Sequence, residues 1–217
     1  MTPARRRRGV SLVSLMVALA LAMICLVTAL QAYRTTVVGS RSATTSARST
    51  GSASALAVQL GRVLPAAGWG MGADKSPPGG TMNQDLVLLA DATLSSSGTL
   101  SGSVKTLAAG TGSGNALAWS SLLDGTLKCS ALVSSQTLGL RLLGPKACAN
   151  AAAGINSSWN DAVVLAPAGA FPLLVFEVAS SDCWPYGGPL RRSAASVRIA
   201  GVRETLPAIC LPNIHGS

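Results

Sequence analysis

The chain has 217 residues, of which 48% are hydrophobic and 12% charged, and its formal net charge is +9. This length suits one membrane segment and one soluble domain of roughly 150 residues. Residues 1–73 contain eight arginines and no acidic residue, whereas residues 74–217 contain nine basic and eight acidic residues. Because the excess charge is confined to the N-terminal region, we predict no specific nucleic-acid partner.

The N-terminus combines a basic leader with a long apolar stretch. Arg5–Arg8 and Gly9 are followed by Val10–Tyr33, which contains no charged residue. Twenty-four residues form a helix of about 36 Å at 1.5 Å per residue, and a bilayer core is roughly 30 Å thick. The arginines predict a cytoplasmic N-terminus. The apolar stretch is longer than that of an ordinary secretory signal, and an uncleaved signal anchor is the simplest alternative.

The residues at this junction resemble those of a known family. Gly9–Leu19 reads G-V-S-L-V-S-L-M-V-A-L and resembles the start of a type IV prepilin. In that family a prepilin peptidase cuts after the glycine, on the cytoplasmic side, and methylates the new N-terminus. The resemblance therefore implies cleavage between Gly9 and Val10, N-methylation of Val10, and an apolar helix that stays in the mature protein.

The resemblance extends over about the first 90 residues. Ala55–Arg62 and the following Ala66–Gly70 are similar to the corresponding part of PilW-type minor pilins, whose relatives include the J-type pseudopilins of type II secretion. One position departs from the family pattern: the fifth mature residue, usually glutamate, is Ser14. The glutamate offsets the buried ammonium of a neighbouring subunit, and a serine cannot supply that charge.

The helix is predicted to run from residue 10 to about residue 64. Leu56, Leu60 and Leu64 recur at four-residue steps, which indicates one buried face, and Pro65 ends the helix. Residues 39–51 are rich in glycine, serine and threonine, so we predict a bend or partial melting there. The predicted organisation is a leader at 1–9, a transmembrane half at 10–33, an exported amphipathic half at 34–65 and a periplasmic β-rich head at 66–217.

The head is predicted to be a mainly antiparallel sheet. Short runs rich in valine and leucine, bounded by glycine, serine, asparagine or proline, indicate strands: Leu86–Ala90, Ala116–Ser120, Thr126–Val133, Leu138–Leu143, Ala162–Ala166, Leu173–Ala179 and Ser196–Arg203. Residues 68–80, 95–98 and 109–115 are expected to be loops or turns. A long helix followed by a run of strands predicts an α+β, pilin-like fold in which the helix packs on the sheet.

Five cysteines separate into two groups. Cys25 lies in the apolar segment, whereas Cys129, Cys148, Cys183 and Cys210 lie in the head. An oxidising periplasm favours disulfides, and four cysteines allow three connectivities. Pairing between neighbours in sequence, Cys129–Cys148 and Cys183–Cys210, is our first choice. The sequence contains no C-x-x-C motif and a single histidine, which argues against zinc, and we expect neither a metal nor another cofactor.

No residue pattern indicates an enzyme. His215 is three residues from the C-terminus, where we expect a solvated tail and not an oriented catalytic group. Gly68, Gly70 and Gly72 are read as a turn after the helix, with Trp69 covering the core. The carboxylates Asp85, Asp91, Asp124 and Asp182 are read as solvated turn residues, because they form no calcium ladder.

The aromatic residues of the head suggest one interaction surface. Trp184 and Tyr186 lie beside a cysteine and are followed by Arg191 and Arg192, so these four residues are the candidate surface. The alternative is that the aromatic residues, with Trp119 and Trp159, supply core volume.

The resemblance and the composition together predict an assembly subunit. The expected function is that of a minor pilin that takes part in priming or assembling a type IV pilus, at or near its tip. Expected partners are other pilin subunits through the N-terminal helix, the prepilin peptidase and the bacterial inner membrane. The alternatives are a type II secretion pseudopilin and a membrane-anchored periplasmic binding module or adhesin that never polymerises.

Overall fold

The structure, a computed structural model, describes residues 12–72, 79–107, 111–181, 194–202 and 206–215, with the backbone alone at residues 45, 48 and 49. The chain divides into two compact units, Met1–Arg48 and Ser49–Ser217. The first is helical where it is described, and the second carries all the described strands. The predicted boundaries at residues 9, 33 and 65 remain predictions.

Helix α1 spans Leu12–Val63 and is followed by a short 3-10 helix, Leu64–Ala66. The end of the helix near Pro65 therefore agrees with the prediction. The predicted partial melting at residues 39–51 is wrong, because α1 is unbroken through them. The hydroxyls of Ser42 and Thr44 bond to the carbonyls of the preceding turn, at 2.9 and 2.8 Å, so these poor helix formers keep their polar groups satisfied within the helix.

The second unit contains two sheets. The strands in chain order are β1 (Gly80–Thr81), β2 (Leu86–Leu94), β3 (Leu100–Lys105), β4 (Gly112–Gly114), β5 (Ala116–Leu123), β6 (Thr126–Ser135), β7 (Gly139–Ala147), β8 (Ala162–Ala166), β9 (Val175–Ser181), β10 (Ala194–Ala200) and β11 (Ile209–His215). Sheet I has five strands in the order β1-β11-β10-β9-β4, and sheet II has six in the order β3-β2-β5-β6-β7-β8. All pairs are antiparallel except β1 with β11.

The main core lies between the two sheets and the end of α1. Leu56, Leu60 and Leu64 of the helical segment are buried against residues of both sheets, including Trp119 and Phe176. The four-residue spacing places these leucines on one face of the helix. This packing and the mainly antiparallel pairing confirm the predicted α+β fold class.

A second core covers the opposite face of sheet II. Val87 and Leu89 of β2 point into it, together with Ala118 of β5, and the segment after β7 supplies Ala151 and Trp159. The central strands of sheet II are therefore buried on both faces. This explains why β2 begins with an uninterrupted apolar run instead of an alternating pattern.

Seven strands were predicted, and all seven are present: β8 has the predicted bounds, and the other six have one or both ends shifted. The end predicted at Arg203 for β10 is wrong, because β10 ends at Ala200 and residues 201 and 202 form a bend. Arg203 itself lies outside the described residues.

Four strands were missed: β1, β3, β4 and β11. Strand β4 lies in a segment that was expected to be a loop, and β11 ends at His215, the residue that was expected to lie in a solvated tail. Strand β4 is Gly-Ser-Gly, a sequence with low β propensity. A Cβ at Gly114 would lie 2.2 Å from the carbonyl oxygen of Leu89. The strand therefore depends on the close approach of its backbone to β2, which only glycine permits.

Three residues differ from their predicted environments. Trp69 does not cover the core: its side chain is 60% exposed, although the turn around Gly68 and Gly70 is present. Asp85 is buried, not solvated, and accepts hydrogen bonds from the Thr81 amide (2.8 Å) and the Ser120 hydroxyl (3.1 Å). His215 is the last residue of β11, paired with β1 and β10, and not a frayed tail residue.

Asp91 and Asp124 are exposed, as predicted. Asp124 and Gly125 form the two-residue connection of the β5–β6 hairpin, with φ of 51° and 72°. These positive φ values belong to the tight turn that matches the twist of paired strands. Asp182 lies outside the described residues.

Candidate functional site

The first part of α1 presents an apolar surface that none of the described residues covers. Leu12–Thr44 is 33 residues long with a mean hydropathy of 2.7, and none of its most apolar window is buried. Such a segment extends about 50 Å as a helix. Its large exposed hydrophobic side chains are Leu12, Val13, Leu15, Met16, Val17, Leu19, Leu21, Met23, Ile24, Leu26, Val27, Leu30, Tyr33 and Val38. The helix is thus long and apolar enough to cross a membrane.

Three threonine hydroxyls of this apolar helix are satisfied by carbonyl groups of the helix itself. The Thr28 hydroxyl donates to the carbonyls of Ile24 and Cys25, at 3.1 and 2.9 Å. Thr35 and Thr36 both bond to the carbonyl of Ala32, at 2.9 and 2.8 Å. An unsatisfied hydroxyl in an apolar medium costs several kcal/mol, so these bonds let the helix enter lipid or pack among other apolar helices.

The same helix offers no acidic side chain. Residues 1–73 contain no aspartate or glutamate, and Ser14 is exposed near the start of α1. A cationic group packed beside this helix in an apolar environment would therefore have no carboxylate on the helix to pair with. The predicted processing position, Gly9 and Val10, precedes the described residues, so cleavage and N-methylation there remain predictions.

The head is cross-linked at the second core. Cys129 of β6 and Cys148, just after β7, form a disulfide with a Cα–Cα distance of 5.7 Å, as predicted. Cys210 is also disulfide-bonded, but its predicted partner Cys183 lies outside the described residues, so the pair Cys183–Cys210 stays a prediction. Cys25 is a free, exposed thiol on α1.

A cluster of polar contacts links Lys146 of β7 to the following segment, which covers the second core. The Lys146 ammonium lies 4.1 Å from the centroid of the Trp159 ring and donates to the Ser157 hydroxyl and to the Ser158 carbonyl oxygen, the latter at 2.8 Å. Burial lowers the pKa of Lys146, while the two oxygens and the ring favour its charged form. This contact was not predicted, because nothing in the spacing of residues 146 and 159 indicates it.

The four predicted surface residues, Trp184, Tyr186, Arg191 and Arg192, lie outside the described residues. Trp119 and Trp159 are buried, at 2% and 3% exposure, which agrees with the alternative reading of these two as core volume. Among the described residues, no group of three or more histidine, cysteine, aspartate or glutamate side chains could hold a metal ion.

One comparison with known families gives a match. Residues 4–30 match the prokaryotic N-terminal methylation motif, which spans the basic leader, the predicted cleavage position and most of the apolar stretch. No curated protein and no solved structure matches the chain. The motif supports a type IV pilin-like protein that a prepilin peptidase processes and that assembles with pilins, and with α1 it is consistent with inner-membrane anchoring.

Proposed function

We propose that the chain is a minor pilin of the PilW type, made as a precursor and taking part in priming or assembling a type IV pilus. The observation that carries the proposal is the methylation motif at residues 4–30, which overlaps the start of an apolar helix whose hydrophobic side chains are exposed. A helix of this kind needs lipid or other apolar helices around it. A fibre of pilin helices supplies such surroundings once the subunit leaves the membrane.

The proposed topology follows from the charges. Arg5–Arg8 hold the leader in the cytoplasm, α1 crosses the inner membrane, and the head folds in the periplasm. A disulfide in the head suits that oxidising compartment. In this proposal the subunit assembles through its helix and presents the head as a surface, and it is not an enzyme.

Ser14 favours a position at or near the tip of the fibre. Cleavage after Gly9 would create an ammonium on Val10, and an unpaired charge among apolar helices is costly. In related fibres, the glutamate of each incoming subunit pairs with the amine of the subunit already in place. A subunit that enters first has no such amine to neutralise, so it can lack the carboxylate. Its own amine is still paired by the next subunit.

A label on the head tests this position. We expect a small epitope tag after Gly169, an exposed turn glycine with no atom within 4 Å of a Cβ placed there, to be found at one end of sheared fibres by immunogold imaging. A matched strain carries Ser14→Glu, which restores the carboxylate and should permit incorporation along the shaft. Label scattered along the shaft with the native Ser14 would contradict the tip position. Label confined to a secretion pseudopilus would favour the type II secretion alternative.

A further inference from the structure

Strand β2 contains a bulge that places an acidic residue in an uncommon backbone conformation. The pairing of β2 with β3 shifts register between Ala90 and Thr93, so Asp91 and Ala92 together lie opposite the single residue Gly102. Asp91 has a φ of 52°, in the left-handed region where the first residue of such a bulge is usually glycine. Of the four described non-glycine residues with positive φ, Asp91 alone lies within a strand.

Asn115 fixes the backbone of this bulge. Its side-chain oxygen accepts a hydrogen bond from the Ala92 amide at 2.8 Å, and its side-chain nitrogen donates to the Ala92 carbonyl oxygen, also at 2.8 Å. The same nitrogen donates to the carbonyl oxygen of Ser134 at 3.0 Å. Both backbone polar groups of Ala92 are thereby paired, and the left-handed conformation of Asp91 is imposed by its surroundings. A bulge held in this way directs one side chain away from the regular alternation of the strand.

Asp91 lines a hollow of about 370 Å³ where β2, β4 and the start of β9 meet. Thr93 and Ser113 contribute hydroxyls to this hollow, and Leu173 and Val175 contribute apolar surface. Asp91 is the single charged residue among those that line it. None of the described residues forms a hydrogen bond or an ion pair with the Asp91 carboxylate. The hollow therefore presents one unpaired negative charge beside an apolar wall.

This combination of groups selects a cation that has an aliphatic stem. We infer that the hollow receives an arginine side chain of a partner protein. A guanidinium pairs with a carboxylate such as that of Asp91 through two parallel hydrogen bonds. Its remaining N–H groups reach the hydroxyl oxygens of Thr93 and Ser113, which can accept them. Its methylene groups lie along Leu173 and Val175, as the stem of a long basic side chain does on apolar surface.

The exposure of the hollow favours a side chain of a partner over a free ligand. Small-molecule sites bury most of the surface of their ligand, whereas Asp91, Thr93 and Ser113 are all exposed. A side chain presented by a partner needs no enclosed pocket, because the surrounding contacts of the interface exclude water from it. The inference goes beyond the proposed role in a pilus and does not depend on cleavage after Gly9, since it concerns the head alone.

Titration of the isotope-labelled full chain in detergent with N-acetyl-arginine amide, observed by NMR, tests the site. We expect the backbone amide signals of Ala92, Thr93 and Ser113 to shift and to reach saturation as the arginine derivative is added. N-acetyl-citrulline amide is the matched probe, because its urea group has nearly the shape of a guanidinium and carries no charge. At equal concentration it should give shifts at least about fivefold smaller, because it cannot form charge-assisted hydrogen bonds with the carboxylate.

Two variants assign the effect to Asp91. Asp91→Asn removes the charge and keeps a residue that tolerates a positive φ, so it should retain the native unfolding midpoint and lose the shifts. Asp124→Asn is the matched control, because Asp124 is also exposed and has a φ of 51°; it should leave the shifts unchanged. Equal shifts with the two probes would overturn the proposal. So would shifts that persist in Asp91→Asn, or a native chain whose signals do not respond to the arginine derivative.

Discussion

Replacing Gly9 with phenylalanine should leave the leader on the chain, and the unprocessed protein should enter the membrane but be missing from fibres. The reason is that the proposed cut lies directly after Gly9, where a bulky side chain would block the peptidase. The apolar helix is unchanged, so its transfer into the bilayer is unaffected. We expect an intact mass that includes residues 1–9 and a loss of the protein from sheared fibres, both measured against the native chain.

The same replacement at Gly61 is the matched control. Gly61 lies on an exposed part of α1, and no atom lies within 4 Å of a Cβ placed there, so Gly61→Phe should be processed normally. If the Gly9→Phe chain has the mass of the processed native protein, the assignment of the cleavage position is wrong. If it retains the leader but still enters fibres, processing is not needed for assembly.

Removing the Cys129–Cys148 disulfide by replacing both residues with alanine should destabilise the head by about 3 kcal/mol, the value typical of a loop of this length. The loss would be a large part of the 5–15 kcal/mol that stabilises a typical domain. The disulfide joins β6 to the segment after β7 that covers the second core, where Trp159 is buried. We expect the full chain in detergent to unfold at a lower denaturant concentration. Tryptophan fluorescence is the signal that monitors this unfolding.

Cys25→Ala is the control for this measurement, because Cys25 is a free thiol outside the head. It should leave the midpoint unchanged. A double alanine variant within about 1 kcal/mol of the native chain would mean that the cation–π and hydrogen-bond contacts of Lys146 hold the segment without the disulfide.

The sequence predicted the elements that bury long apolar side chains. The leucines at 56, 60 and 64 are spaced for one helical face, and the apolar run that opens β2 is long enough for a strand, so hydrophobic pattern alone identified both. The disulfide between Cys129 and Cys148 followed from proximity in sequence. The α+β class then followed from the order of these elements.

What the sequence did not predict depends on contacts between distant residues. β4 can be predicted only if the close approach of Gly114 to Leu89 is known. β11 contains Pro212, and a proline disfavours the prediction of a strand. Asp85 was predicted to be a solvated turn residue because one of its partners, Ser120, lies 35 residues away in sequence and meets it only in the fold. Trp69 was predicted to cover the core, but its side chain is 60% exposed, which the local sequence does not indicate.

The candidate site was easier to predict than the head surface. A basic leader, a glycine and an apolar helix are adjacent in sequence, so their pattern needs no tertiary information, and the match to the methylation motif covers the same residues. By contrast, the face that the head offers to partners depends on which side chains the fold leaves exposed. The hollow beside Asp91, for example, is lined by residues of both sheets that are far apart in sequence.

The most direct test of the central proposal is the mass of the mature N-terminal peptide from native membranes. We predict a peptide that begins at Val10, lacks residues 1–9 and is heavier by one methyl group on its amine. A mature chain that retains Arg5–Arg8, or one cut after a residue other than Gly9, would contradict the proposal that this protein is a processed pilin subunit.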